Sequence, residues 1–151
     1  MVNENTAEIL LVEDNPSDVE LVLRALKRQQ VAQNVVIVRD GEQAVDYVFG
    51  RGKYKDRSVD DSPKVIFLDL KLPKLDGFEV LRLIKSDSKT RRIPIVVVTS
   101  SKEESDIMRC YDSGANSYIV KPVNYDEFVQ CIVETALYWL LMNHTPTLVY
   151  H

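Results

Sequence analysis

The sequence predicts an α/β fold: a three-layer sandwich with five parallel strands between helices. Five short apolar runs alternate with five stretches of helical apolar spacing. The runs lack polar alternation, as strands covered on both faces do. The connections are mostly short, which implies parallel strands joined by right-handed crossovers.

The first run, Glu8 to Val12, ends in two acids, Glu13 and Asp14. Asn15 as N-cap and Pro16 at the first helical position then start a helix that runs to about Gln30. Its residues Val19, Leu23 and Leu26 recur at helical spacing, with Val22 beside them. Asn34 to Val38 is the second strand. Asp40-Gly41-Glu42 caps a second helix carrying Ala44, Val45, Val48 and Phe49. Gly50 to Pro63 is the most polar segment and reads as a long exposed loop, either a partner contact or a solvated insertion.

The chain is organised around Val65-Ile66-Phe67-Leu68, which runs straight into Asp69. Lys71 to Gly77 follows as a loop with Pro and Asp-Gly turn signals. A third helix begins near Gly77, with Phe78, Val80, Leu81 and Ile84 on its apolar side. Ile93 to Ser100 is the fourth strand, with Pro94 near its start, where no ladder donor is needed. Ser101-Lys102-Glu103-Glu104 reads as a capping box for the fourth helix, which Gly114 closes. Ser117 to Pro122 is the fifth strand. Asn124 and Glu127 cap the last helix, which runs to about Met142.

A chain of 151 residues is most simply one domain with a real core. Nineteen basic against 23 acidic residues give a net charge of −4, which argues against nucleic-acid binding, since that wants a basic face. Met1 to Thr6 lacks the layout of a signal peptide, and no apolar run approaches the ~20 residues of a membrane span. A cytoplasmic protein with no membrane partner is expected. Cys110 and Cys131 make neither a disulfide framework nor a metal spacing and read as reduced thiols. His144 and His151 read as tail residues.

Parallel strands bring their C-terminal ends to one edge, where open α/β sheets place ligands. Here that edge receives Glu13 and Asp14, Asp69, Thr99 and Lys121. Each alone has an ordinary reading: dipole acids before a helix, a turn aspartate, a β-branched strand end, a solvated lysine. Together they form a site. Two like charges ~4 Å apart cost ~4 kcal/mol at an effective dielectric of 20, so three carboxylates stay ionised only beside a cation. An all-oxygen set suits Mg²⁺. A carboxylate there can attack a phosphoryl group and form an acyl phosphate, while the metal and an ammonium neutralise the transferring charge. Thr99 can donate to a phosphoryl oxygen. No G-x-G-x-x-G follows a strand, which disfavours nucleotide binding.

On these residues the chain resembles the receiver domain of two-component response regulators. The carriers are Glu13-Asp14, Asp69 with Leu72-Pro73 and Asp76-Gly77, Thr99-Ser100, Gly114-Ala115 and Lys121-Pro122. The resemblance implies a flavodoxin-like sandwich with strand order 2-1-3-4-5, a receiver domain over 7–142 and a tail at 143–151 with no output domain. It implies Asp69 as phosphoacceptor for a histidine kinase, taking part in phosphotransfer and in its own dephosphorylation without being an enzyme. The Mg²⁺ shell would be Asp14, Asp69, the Lys71 carbonyl and Glu13 through water. Glu13 stands where many members carry Asp, but its longer arm still reaches a metal-bound water. Thr99 and Lys121 would contact the phosphoryl group. Thr99 would move toward it, and Tyr118 would fill the freed space from an outward rotamer. The Lys121–Pro122 bond would be cis.

A narrower resemblance is to the small response regulators that partner cyanobacterial-type phytochromes. It rests on Glu13 to Asp18, the insertion from Tyr47 to Ser62, Asp69 to Lys74 and the final helix with its tail. It implies a phytochrome histidine kinase as donor. Two other classes compete. Haloacid dehalogenase phosphatases share a strand-end aspartate but carry an acid two residues later, where this chain has Lys71. A phosphorylation-independent interaction module would have lost Asp69 or Lys121, and both are present.

The last helix carries Phe128, Val129, Ile132, Val133, Ala136, Leu137, Leu140 and Leu141, an apolar arc of roughly 220° where ~100° covers one sheet face. With Leu148, Val149 and Tyr150 in the tail, this surface predicts a homodimer, the other reading being a tail that folds back over the helix within one chain. A downstream protein is expected to read the phosphorylated surface.

Overall fold

The computed structural model describes residues 7–30 and 34–146. Five parallel strands lie in the order β2-β1-β3-β4-β5. They are β1 (Ile9–Val12), β2 (Val35–Val38), β3 (Val65–Leu68), β4 (Ile95–Thr99) and β5 (Ser117–Val120). The helices are α1 (Pro16–Arg28), α2 (Gly41–Phe49), α3 (Gly77–Ser86), α4 (Glu104–Asp112) and α5 (Tyr125–Leu137). This is the flavodoxin-like sandwich expected. No helix among the described residues is long and apolar enough to cross a membrane.

Alternation along each strand divides the core in two, because successive side chains point to opposite faces. Leu10, Val12, Ile66, Leu68, Ile95 and Val97 pack with residues of α2 and α3. Ile9, Leu11, Val65, Phe67, Val96 and Val98 pack with residues of α1 and α5. Strands β1, β3 and β4 are buried at every position, so their apolar runs carry no polar alternation. The register aligns Val12 with Leu68, and Leu68 with Val97. Glu13, Asp69 and Thr99 therefore emerge together at one edge.

Local chemistry sets the helix starts. The side chains of Asn15, Asp40, Asp76 and Asn124 each accept amide hydrogen bonds from the first turns of α1, α2, α3 and α5. The fourth helix differs from expectation. Ser101 is not its cap: Glu103 holds that position without a side-chain bond, and the Ser101 hydroxyl donates instead to Asp106 Oδ2 at 2.6 Å. The same hydroxyl accepts from Glu103 N at 3.3 Å.

The segment from Gly50 to Pro63 is mostly exposed, as expected, but Tyr54, Arg57 and Pro63 within it are buried. Gly50 closes α2 with φ 66°, a left-handed conformation that glycine adopts without strain. A 3₁₀ turn, Gly52–Tyr54, follows. Tyr54 is buried, and its ring meets Tyr47 edge-on at 5.0 Å. Arg57 is buried too: its guanidinium lies 3.9 Å from the Tyr47 ring centroid and donates to the carbonyls of Tyr47 and Asp61. A loop that looks solvated in sequence is thus pinned by one arginine stacked on an aromatic ring.

Past Leu137 the last helix continues as a π-helical turn, Tyr138–Met142. Its residues Tyr138, Leu141 and Met142 are exposed, as are Tyr125 and Leu137 of α5. Leu148, Val149 and Tyr150 lie outside the described residues.

Candidate functional site

The backbone places each functional side chain before any side-chain contact forms. Glu13 N donates to Val38 O, Asp69 N to Val12 O, and Lys121 N to Thr99 O. These bonds extend the sheet ladder one residue past each strand and fix the three side chains relative to one another. Gly77 lets the start of α3 press against this edge. A Cβ there would sit 2.3 Å from Asp69 O, closer than atoms can approach.

Glu13, Asp14 and Asp69 each offer a carboxylate oxygen within 4.8 Å of the others. Glu13 is buried and Asp14 exposed. Lys121 reaches into the cluster. Its Nζ lies 2.6 Å from Glu13 Oε1, 2.9 Å from Asp18 Oδ2 and 3.3 Å from Asp69 Oδ2. An ammonium has three protons, and each finds a carboxylate. Lys71 N approaches Asp69 Oδ1 at 3.4 Å.

The electrostatics record the crowding. Burial, then the hydrogen bond to Asp69, push the Glu13 carboxyl up to about 7, although Lys121 works against the rise. Burial opposes the charge on Lys121. Its hydrogen bonds to Glu13 and Asp18, with the charge on Asp69, outweigh burial and hold it above its ordinary value. The oxygen-only donor set fits a hard divalent cation that keeps part of its water. Glu13, Asp14 and Asp69 could hold such an ion.

Thr99 is fully buried, and its Oγ1 accepts from Ser101 N at 3.4 Å. A cleft of about 310 Å³ opens beside it, lined among others by Leu70, Lys71, Leu72 and Phe78. The expected outward Tyr118 is corrected: the side chain is half-buried, packs against the core and donates from its hydroxyl to Ser101 O at 3.0 Å. The expected cis Lys121–Pro122 bond is also corrected. No cis peptide bond occurs among the described residues, and the trans form is the one that X–Pro amides favour.

Asp18 was missed as a site residue by reasoning from strand ends, because it stands on α1. The available signal was its position in the first turn of the helix that leaves Glu13-Asp14, a turn that faces the same edge.

A carboxyl raised in the fold keeps a proton that the unfolded chain has lost. The stability contributed by Glu13 is therefore present below its ordinary 4.5 and lost as pH rises toward about 7. Without divalent cations, Glu13→Gln is expected to unfold in urea about 1–2 kcal/mol later than wild type at neutral pH. The gain should shrink toward pH 4.5. An equal or lower stability of Glu13→Gln at neutral pH would contradict the crowding.

Comparison with known proteins agrees with this geometry. A probable methanogenesis regulatory protein, FilR2 of Methanothrix harundinacea, is 38% identical over 91% of this chain and 86% of its own length. Response regulator Rcp1 of Synechocystis is 37% identical over 87% of this chain and 88% of its own. Among solved structures, the phosphorylated cyanobacterial phytochrome response regulator RcpA superposes with a TM-score of 0.85 at 43% identity, covering 91% of this chain and 96% of that one. The Mn(2+)-bound form of Rcp1 superposes at 0.84. The model of the response regulator receiver domain matches residues 9–133, most of the chain, and the protein belongs to that family.

Proposed function

We propose that this protein is a response regulator that accepts a phosphoryl group on Asp69 from a histidine kinase and signals through a changed surface. The observation that carries the reading is the convergence of three carboxylates within 4.8 Å with an ammonium that bridges two of them.

In the reaction, an Asp69 carboxylate oxygen attacks the phosphorus of a phosphohistidine or of a small acyl phosphate. The new O–P bond forms as the old P–N or P–O bond breaks, and the donor imidazole or carboxylate leaves with the electron pair. Lys121 meets the phosphoryl oxygens with its ammonium, and the Thr99 hydroxyl donates to one of them. Asp14, Asp69, the Lys71 carbonyl and Glu13 would hold Mg²⁺, which when bound would supply positive charge against the acids and the incoming phosphoryl. Return to the carboxylate is hydrolysis of the protein's own acyl phosphate, without turnover of an external substrate.

The hydrogen bonds support a switch with Tyr118 already engaged. Thr99 Oγ1 accepts from Ser101 N, and Ser101 O accepts from Tyr118. A phosphoryl group adds about two negative charges and new acceptors, which would draw Thr99 and carry Ser101 with it. Tyr118 would lose or shift its acceptor, changing the surface beside β5 that a downstream protein reads.

The similarity to RcpA and Rcp1 supports a phytochrome-type kinase as donor. Two free cysteines fit a cytoplasmic setting. The exposed Tyr125, Leu137, Tyr138, Leu141 and Met142 support a homodimer through α5 and the turn beyond it.

With acetyl phosphate or a phosphorylated kinase, label is expected on Asp69 only when Mg²⁺ is present. Equal labelling of Asp69→Asn would sink the assignment. Light scattering at tens of micromolar is expected to give twice the chain mass. Leu141→Glu, placed on the exposed turn, should shift that mass to the monomer, and a monomeric wild type, with or without phosphorylation, would remove the dimer.

A further inference from the structure

Asp18 has no part in the phosphoryl chemistry described above, yet its carboxylate takes one of the three protons of the Lys121 ammonium. It occupies the third position of α1, with its amide bonded to Asn15 Oδ1 at 3.2 Å and Oδ2 turned to Lys121 Nζ at 2.9 Å. Its side chain is 25% exposed and that of Lys121 16% exposed. The pair is shielded but not sealed.

The three acceptors of Lys121 are not equivalent. Glu13 and Asp69 belong to the acid cluster that could hold a divalent ion, and Asp18 does not. The ammonium therefore serves as an internal counter-ion on two carboxylates that such an ion would also draw on. When Glu13 and Asp69 turn to the metal, two of the ammonium's bonds are lost. Asp18 is then the one of the three carboxylates free to keep the ammonium at the edge. Without it, a long flexible lysine would leave for solvent or cling to Glu13 and Asp69 against the ion.

Resting on the receiver reading, we propose that Asp18 is a positioning residue for Lys121: it holds the ammonium beside Asp69 while Glu13 and Asp69 exchange lysine for a divalent cation. Lys121 thus stays in place to meet the incoming phosphoryl oxygens. A role limited to the helix dipole would not require Lys121, because an acid in the first turn interacts with the α1 amides whatever stands opposite.

The test is a double-mutant cycle in full-length protein, read first by Mg²⁺ binding in calorimetry. Asp18→Asn is expected to weaken Mg²⁺ binding about three- to tenfold, because the ammonium falls back on Glu13 and Asp69. In a Lys121→Met background the same change should cost less than about twofold. Labelling of Asp69 by acetyl phosphate at saturating Mg²⁺ should slow about tenfold in Asp18→Asn, equivalent to about 1.4 kcal/mol. Asp18→Glu, which keeps the charge, should stay within about threefold of wild type and serves if Asp18→Asn does not fold. Equal losses of Mg²⁺ affinity in both backgrounds, wild-type behaviour of Asp18→Asn, or a loss in Asp18→Glu as large as that of Asp18→Asn would each overturn the proposal. Failure of the wild type itself to take label on Asp69 would instead overturn the receiver reading on which it rests.

Discussion

An ammonium shared by three carboxylates holds the functional edge of this protein together. Parallel strands in register deliver Glu13 and Asp69 to one line, with Asp14 beside them. Nothing in the strands themselves neutralises these charges, because β1, β3 and β4 are apolar and buried throughout. Lys121 arrives from the far side of the sheet, just past β5, and supplies the missing charge. Burial, and then the hydrogen bond to Asp69, still raise the Glu13 carboxyl. Three carboxylates gathered at one edge suit a divalent cation.

The rest of the architecture keeps that edge rigid and lets its surroundings respond. Two cores, one on each face of the sheet, fix the strands. Gly77 allows α3 to start against Asp69 without a side chain between them. The proposed response lies on the β4–β5 side, where Thr99, Ser101 and Tyr118 are linked in sequence by hydrogen bonds of 3.4 and 3.0 Å. The first is long and weak, which suits a connection that must rearrange.

Much of this was legible in sequence wherever the cause is local. Apolar runs ending in Glu13, Asp69 and Thr99 announced buried parallel strands, and Asn15, Asp40 and Asn124 announced their helices, because each acts on residues two to four positions away. The misses are side-chain contacts that no periodicity or capping rule announces. Ser101 looks like a cap, yet Glu103 takes the cap position, and the Ser101 hydroxyl accepts from Glu103 N while donating to Asp106. The polar segment after Gly50 is largely exposed, as it reads, but its composition does not show that Arg57 is buried against the Tyr47 ring. Tyr118 was expected to point outward, but the Ser101 carbonyl gives its hydroxyl a partner at the core. Asp18 and Lys121 stand more than 100 residues apart in the chain, and no spacing rule connects them.

The central claim is that Lys121 stands in for a divalent cation and yields to it. Paired crystal structures without and with Mg²⁺ test this most directly. With the ion bound, Lys121 Nζ should leave Glu13, from 2.6 Å to beyond the salt-bridge limit of about 4 Å, while its bond to Asp18 persists. A Lys121–Glu13 contact unchanged in the metal-bound structure would contradict the exchange.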